Sequence, residues 1–163
     1  MTPRPQIAVI GKGALDEELV PLAEEVGRRI AEAGAVLVCG GMGGVMEAAS
    51  RGAREAGGEV IGIVPGEDPA SGNPHITHAV ATGIGHARNL AVVASGDAVI
   101  AIGGEWGTLA EIGFARRLDR GVVALRSWTV SGPGDMEGGP GIESVADAQA
   151  AVELALEAAR ERP

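Results

Sequence analysis

Residues 101–115 read AIGGEWGTLAEIGFA. An apolar run, Asp97–Ile102, leads through Gly103-Gly104, Glu105-Trp106 and Gly107-Thr108 into a segment with helical periodicity. Glycines at a strand-to-helix turn leave backbone N–H groups bare at the positive end of a helix, an arrangement suited to a phosphate or another oxyanion. Glu105 runs against that reading, because a carboxylate facing the same space repels an anion. The expectation is that its side chain turns out of the cradle, or is neutralised by neighbouring backbone N–H groups or by Lys12.

Outward from this stretch, similar units recur. QIAVIG (6–11) is a short apolar run, followed by an amphipathic segment over 16–33 with Asp16 as its expected N-cap. AVLVCG (35–40), EVIGIVP (59–65), ITHAVAT (76–82) and GVVALR (121–126) read as further strands. Helices are expected over 45–56, 83–94, 108–118 and 145–161, and a Gly/Pro loop over 131–141. Strands without polar alternation, alternating with helices, are buried on both faces, which means a parallel sheet between two helical layers. The expected fold is α/β: one Rossmann-like, doubly wound domain spanning 1–163. In such sheets ligands bind at the carboxyl ends of the strands, so loops 11–15, 40–44, 65–75 and 103–108 are expected on one rim.

Composition narrows the function. The chain has 163 residues, of which 45% are hydrophobic but only 2% aromatic, so the core is aliphatic. A net charge of −9 disfavours a broad basic groove, and with it nucleic-acid binding. The single cysteine, Cys39, rules out an internal disulfide or thiolate cluster. No stretch has the length of a membrane span, and the expected address is cytoplasmic.

Several chemistries fail on spacing. GKGALD (11–16) starts as a dinucleotide fingerprint but carries Asp16 at the third glycine, and the second strand ends in Gly40-Gly41 without the ribose-binding acid. No P-loop and no G-x-S-x-G elbow is present. Lys12 is the only lysine and stands in a glycine turn without an evident partner for pyridoxal phosphate, so a decarboxylase of that type is not expected. His75 and His78 lack paired carboxylates or thiolates, and no metal site is expected.

Two glycine-rich turns remain, 39–49 (CGGMGGVMEAA) and 102–112 (IGGEWGTLAEI), each after a strand and before a helix. With the first turn they make Gly11, Gly13, Gly40, Gly41, Gly43, Gly44, Gly103, Gly104, Gly107 and Thr108 the candidate ligand- or phosphate-binding residues. Thr108 and Glu111 form T-x-x-E, which is either a capping box or a hydroxyl and a carboxylate presented to the cleft. Arg88, in GIGHARNLAV beside His86 and Asn89, is placed to meet a phosphate or Glu111.

GHARN followed by GGEWGTLAE resembles the paired motifs of the lysine-decarboxylase-like (Lonely Guy) superfamily, M-H-x-R-K and P-G-G-x-G-T-x-x-E. It is more similar to the molybdenum-cofactor-carrier-like branch, where R-N replaces R-K and the loop reads G-G-x-x-G-T-L-x-E. The likeness extends over nearly the whole chain. For the hydrolase branch it implies N-glycosidic cleavage of nucleoside 5′-monophosphates to base and ribose 5-phosphate. Arg88 and Glu111 then match the catalytic pair, and Gly104, Gly107 and Thr108 the phosphate loop. For the carrier branch it implies binding of the phosphorylated pterin of the molybdenum cofactor, with no cofactor required for chemistry. The resemblance also implies a homodimer or higher homo-oligomer, supported by the apolar character of the 83–94 segment. Gly103 in place of proline, Glu105 in place of glycine, Ile112 in place of a second acid and Asn89 in place of a basic residue depart from the hydrolase pattern. Together they favour a binding or carrier role over turnover.

Overall fold

The computed structural model describes residues 3–132 and 141–162. Seven parallel strands form one sheet: β1 (Gln6–Gly11), β2 (Val36–Cys39), β3 (Val60–Val64), β4 (His78–Ala81), β5 (Ala98–Ile102), β6 (Gly121–Leu125) and β7 (Ile142–Val145). Their spatial order is β4-β3-β2-β1-β5-β6-β7. The chain runs outward in one direction from β1 and returns to the other side of it with β5. The carboxyl ends of β1 and β5 therefore flank the topological switch point, where an open α/β sheet leaves a crevice.

Among the described residues, five α-helices cover the sheet: α1 (Val20–Glu32), α2 (Val45–Glu55), α3 (Arg88–Ser95), α4 (Trp106–Arg117) and α5 (Ala148–Arg160). Alternate strand residues serve opposite layers. Ile7, Val9, Ile100 and Ile102 pack under α1, α2 and α5, while Ala8, Ile10, Val99 and Ala101 pack under α3 and α4. This is the doubly wound α/β architecture expected from the apolar runs.

Element boundaries moved where turn chemistry intervened. Asp16 does not cap α1: its carboxylate accepts the backbone N–H of Glu18 (3.1 Å) and Leu19 (3.4 Å), and the helix starts at Val20. Pro21 explains the later start, because a residue without an N–H suits the first turn of a helix. The expected 83–94 helix is shorter at its front, since Gly83 and Gly85 stand at φ +64° and +60°, outside helical space. Arg88 thereby becomes the first residue of α3. At the other end, the expected helix over 145–161 begins only at Ala148, capped by Asp147, whose carboxylate accepts the Ala150 N–H (2.9 Å). The preceding residues form β7, an edge strand whose polar Glu143 and Ser144 obscure its signal in the sequence. Of the expected 131–141 loop, residues 133–140 lie outside the described residues.

Helices α1 and α2 touch backbone to backbone through two glycines. A Cβ on Gly27 would stand 1.9 Å from the Ala49 carbonyl oxygen, and one on Gly52 would stand 2.0 Å from that of Glu24. Gly27→Ala should force the helices apart and cost about 3 kcal/mol, as overpacking of a tight interface does. The loss should appear as a fall of roughly 6–12 °C in the thermal midpoint followed by circular dichroism. An unchanged midpoint would mean that the helices are not in backbone contact.

Candidate functional site

A cleft with a cavity volume of about 190 Å³ opens at the switch point. Gly11, Lys12 and Gly13 come from the turn after β1, and Gly40 from the end of β2. His86, Arg88 and Asn89 enter from the start of α3, and Glu105, Gly107, Thr108 and Glu111 from the turn after β5 and the first turns of α4. Four segments far apart in sequence thus meet because parallel strands end on one side of the sheet.

Arg88 is 8% exposed, yet it has no carboxylate within ion-pair distance among the described residues. One terminal nitrogen, Nη2, donates to the Gly40 carbonyl (3.1 Å), and Nη1 donates to the Asn89 side-chain oxygen. Nε is buried without a hydrogen-bond partner. Glycine at position 40 is what admits the guanidinium, since a Cβ there would stand 2.7 Å from Nη2 and 2.9 Å from the Met46 sulfur. Burial lowers the Arg88 pKa from its ordinary value, and the charges of Glu111 and Cys39 act in the opposite direction.

Glu111 is 7% exposed and projects from the second turn of α4. Burial pushes its carboxyl up to about 7, against the opposing charge of Arg88. Thr108, 3% exposed, lies inside α4 rather than before it, because the helix begins at Trp106 with Glu105 as N-cap residue. The capping-box reading of T-x-x-E is therefore corrected: Thr108 and Glu111 stand about one turn apart on the cleft side of the helix. Gly104, at φ +114°, lies directly against the Thr108 side chain and leaves no room for a Cβ.

The expected glycines divide into groups. Gly11, Gly13, Gly40 and Gly107 line the cleft with Arg88, Thr108 and Glu111. Gly103 and Gly104 line a neighbouring cleft on the far side of the same turn. Gly41, Gly43 and Gly44 line neither. Gly41 packs toward Val64 and Ile76, and Gly44 abuts the Lys12 carbonyl, which also accepts the Val45 N–H (2.9 Å). The 65–75 loop likewise does not contribute to the cleft, and the 86–89 segment takes its place. Sequence reading missed Met46, whose apolar position on α2 looked like ordinary core.

Glu105 answers the sequence puzzle only in part. It is exposed and lines the cleft at its edge. Lys12 does not neutralise it, because its ammonium pairs with Asp16 (3.1 Å). Among the described residues, no group of three or more His, Cys, Asp and Glu is disposed to hold a metal ion, and no helix is long and apolar enough to cross a membrane.

The raised carboxyl of Glu111 has a consequence for stability. Its value is about 7 in the folded protein against 4.5 ordinarily, so between those limits the folded state holds a proton that the unfolded state has released. Stability conferred by that proton is full below about pH 4.5 and is lost as pH rises through about 7. Urea unfolding at about pH 5 and pH 8 should show wild type losing up to about 3 kcal/mol relative to Glu111→Gln over that interval. An identical pH dependence in both proteins would place the carboxyl in water.

Comparison with known proteins agrees with this architecture. A protein of Archaeoglobus fulgidus, itself uncharacterised, is 46% identical over 121 residues, 74% of this chain and 80% of that protein. The molybdenum cofactor binding protein of the phototrophic bacterium Rippkaea orientalis superposes with a TM-score of 0.85 at 30% identity, over 96% of this chain and 98% of that one. The molybdenum cofactor carrier protein of Chlamydomonas reinhardtii gives a TM-score of 0.86 at 30% identity, over 98% and 100%. The model of the SLOG cluster4 family matches residues 4–155, and the chain belongs to that family.

Proposed function

We propose that the protein binds a phosphorylated, nucleotide-like small molecule at the switch-point cleft and carries it, the cargo being a phosphorylated pterin of the molybdenum-cofactor kind. The observation that carries this reading is Arg88: a guanidinium buried at the cleft with Nε unpartnered. A buried donor of this kind is costly until it is paired, and a phosphate oxygen pairs it with a short, charge-assisted hydrogen bond. Thr108 supplies a hydroxyl, Gly107 leaves open space at the helix start, and Glu111, its carboxyl raised to about 7, carries little opposing charge below that pH. The cleft residues thus suit an anion, and the two cofactor-handling structural neighbours support its identity. No chemical cofactor, metal, nucleic acid or membrane enters this reading.

The same cleft supports a second reading, favoured by one observation: the Glu111 carboxyl at about 7 beside a cation. A carboxyl titrating near neutrality can take a proton from water or give one to a departing base. The second reading is hydrolysis of nucleoside 5′-monophosphates at the N-glycosidic bond, with Arg88 and Glu111 catalytic, as in the Lonely Guy branch.

The protein, on this proposal, works as a homodimer or higher homo-oligomer, with Ile84 (57% exposed) and Leu90 (42% exposed) covered by a second copy. Native mass spectrometry of the purified protein reads both points, and the expected species is an oligomer retaining a phosphorylated ligand of unaltered mass. Arg88→Ala and Thr108→Ala should each weaken ligand retention at least about tenfold, the loss expected for a charge-assisted hydrogen bond. Release of adenine on incubation with AMP would select the hydrolase. A protein that binds neither phosphate nor any phosphorylated ligand would end both readings.

A further inference from the structure

A second cleft, of about 550 Å³, lies on the other side of the 103–105 turn. It is lined by Lys12, Asp16 and Glu18 from the segment after β1, Gly103 and Gly104 from the turn after β5, and 126–129 from the segment after β6. Lys12 lines both clefts and joins them.

The aromatic wall is built into the fold. The Gly103 N–H donates to the Leu125 carbonyl (3.2 Å), the Ser127 hydroxyl to the Gly103 carbonyl (2.5 Å), and the Trp128 indole N–H to the Glu105 carbonyl (3.2 Å). Three bonds thus tie the end of β6 and the segment after it to the glycine turn. Trp106 packs on Trp128 with ring centroids 5.2 Å apart, although Trp106 is 76% exposed. The segment enters this arrangement through Arg126 at φ +50°, a left-handed conformation unusual outside glycine.

The 12–18 lining carries two carboxylates in different states. Asp16 is occupied by Lys12 and by the Glu18 and Leu19 N–H groups. Glu18 is exposed and takes part in no ion pair among the described residues. An indole and an uncommitted carboxylate lining one cleft suit a planar heterocycle with two adjacent N–H donors. The indole face stacks on the ring, and the two carboxylate oxygens accept the two N–H groups. The 2-amino-4-oxopyrimidine edge shared by pterins and guanine presents that pair. Adenine presents an acceptor nitrogen beside its amino group and does not.

We propose that this second cleft is the heterocycle subsite, with Trp128 as stacking wall and Glu18 as reader of the 2-amino-4-oxopyrimidine edge. The inference rests on the anion site proposed at Arg88, which holds the phosphate of the same ligand.

GMP and IMP differ only in the 2-amino group and so isolate the Glu18 contact. The chain has two tryptophans and no tyrosine, so its intrinsic emission reports the Trp106–Trp128 pair. In calorimetric and fluorescence titrations, GMP should quench emission and bind about tenfold more tightly than IMP, the effect of one hydrogen bond to a charged group. Glu18→Gln should abolish that preference while leaving the affinity for inorganic phosphate unchanged, which also shows the variant to be folded. Titration with neopterin and with guanosine then distinguishes the two sources of the edge, and the tighter binder assigns it. Equal affinity for GMP and IMP in the wild type, or a preference that survives Glu18→Gln, overturns the subsite while the phosphate site stands. Absence of binding by phosphate and by both nucleotides overturns the Arg88 reading and this one with it.

Discussion

An arginine held out of water at the end of a parallel sheet constrains much of what surrounds it. Placing Arg88 against the Gly40 carbonyl requires residue 40 to lack a side chain, and Gly40 does. It also requires the segment before α3 to deliver the residue as the helix begins, which the left-handed Gly83 and Gly85 arrange. The nearest acid that acts on it, Glu111, lies beyond ion-pair distance and is itself driven toward neutrality by burial. A buried cation without a full counter-charge is normally a defect. Here it sits at a cleft, where a bound anion can complete it.

The sheet order explains why this happens between β1 and β5 and not elsewhere. Only at the reversal of strand order do neighbouring loops diverge to opposite faces and leave a gap. The helices over one face, α1, α2 and α5, follow β1, β2 and β7, and those over the other, α3 and α4, follow β4 and β5. Lys12, in the turn after β1, therefore borders both clefts, with the 103–107 turn between them. The close crossing of α1 and α2 through Gly27 and Gly52 belongs to the same framework: it fixes α2, and with it Met46, against the cleft floor.

Much of this was legible in the residues themselves. Apolar runs marked β1, β2, β3, β5 and β6, ITHAVAT marked β4 despite its exposed His78, and β7 carried no such run because Glu143 and Ser144, both exposed, interrupt it. The strand–turn–helix stretch at 97–118 pointed to the rim, and Arg88, Thr108 and Glu111 do converge there. What sequence could not supply was which turn residues face inward. The 40–44 glycines looked alike, yet only Gly40 reaches the cleft, because Gly41 packs toward Val64 and Ile76 while Gly43 and Gly44 lie against the Lys12–Gly13 backbone. Pro21 was a readable signal for the start of α1, and the 16–33 reading passed over it. The aromatic wall at Trp128 depends on long-range bonds to 103–105, which no local pattern carries.

The Arg88 Nε–H group, buried without a partner, itself reports whether this cation takes up an anion. Nitrogen-15 NMR with arginine-selective labelling, titrated with inorganic phosphate, observes that group directly. Binding should shift the Arg88 Nε–H resonance and slow exchange of its proton with water, as the unpartnered donor gains an acceptor. A resonance that stays fixed while backbone amides of the 103–108 turn respond would contradict it, because phosphate would then bind without the buried arginine.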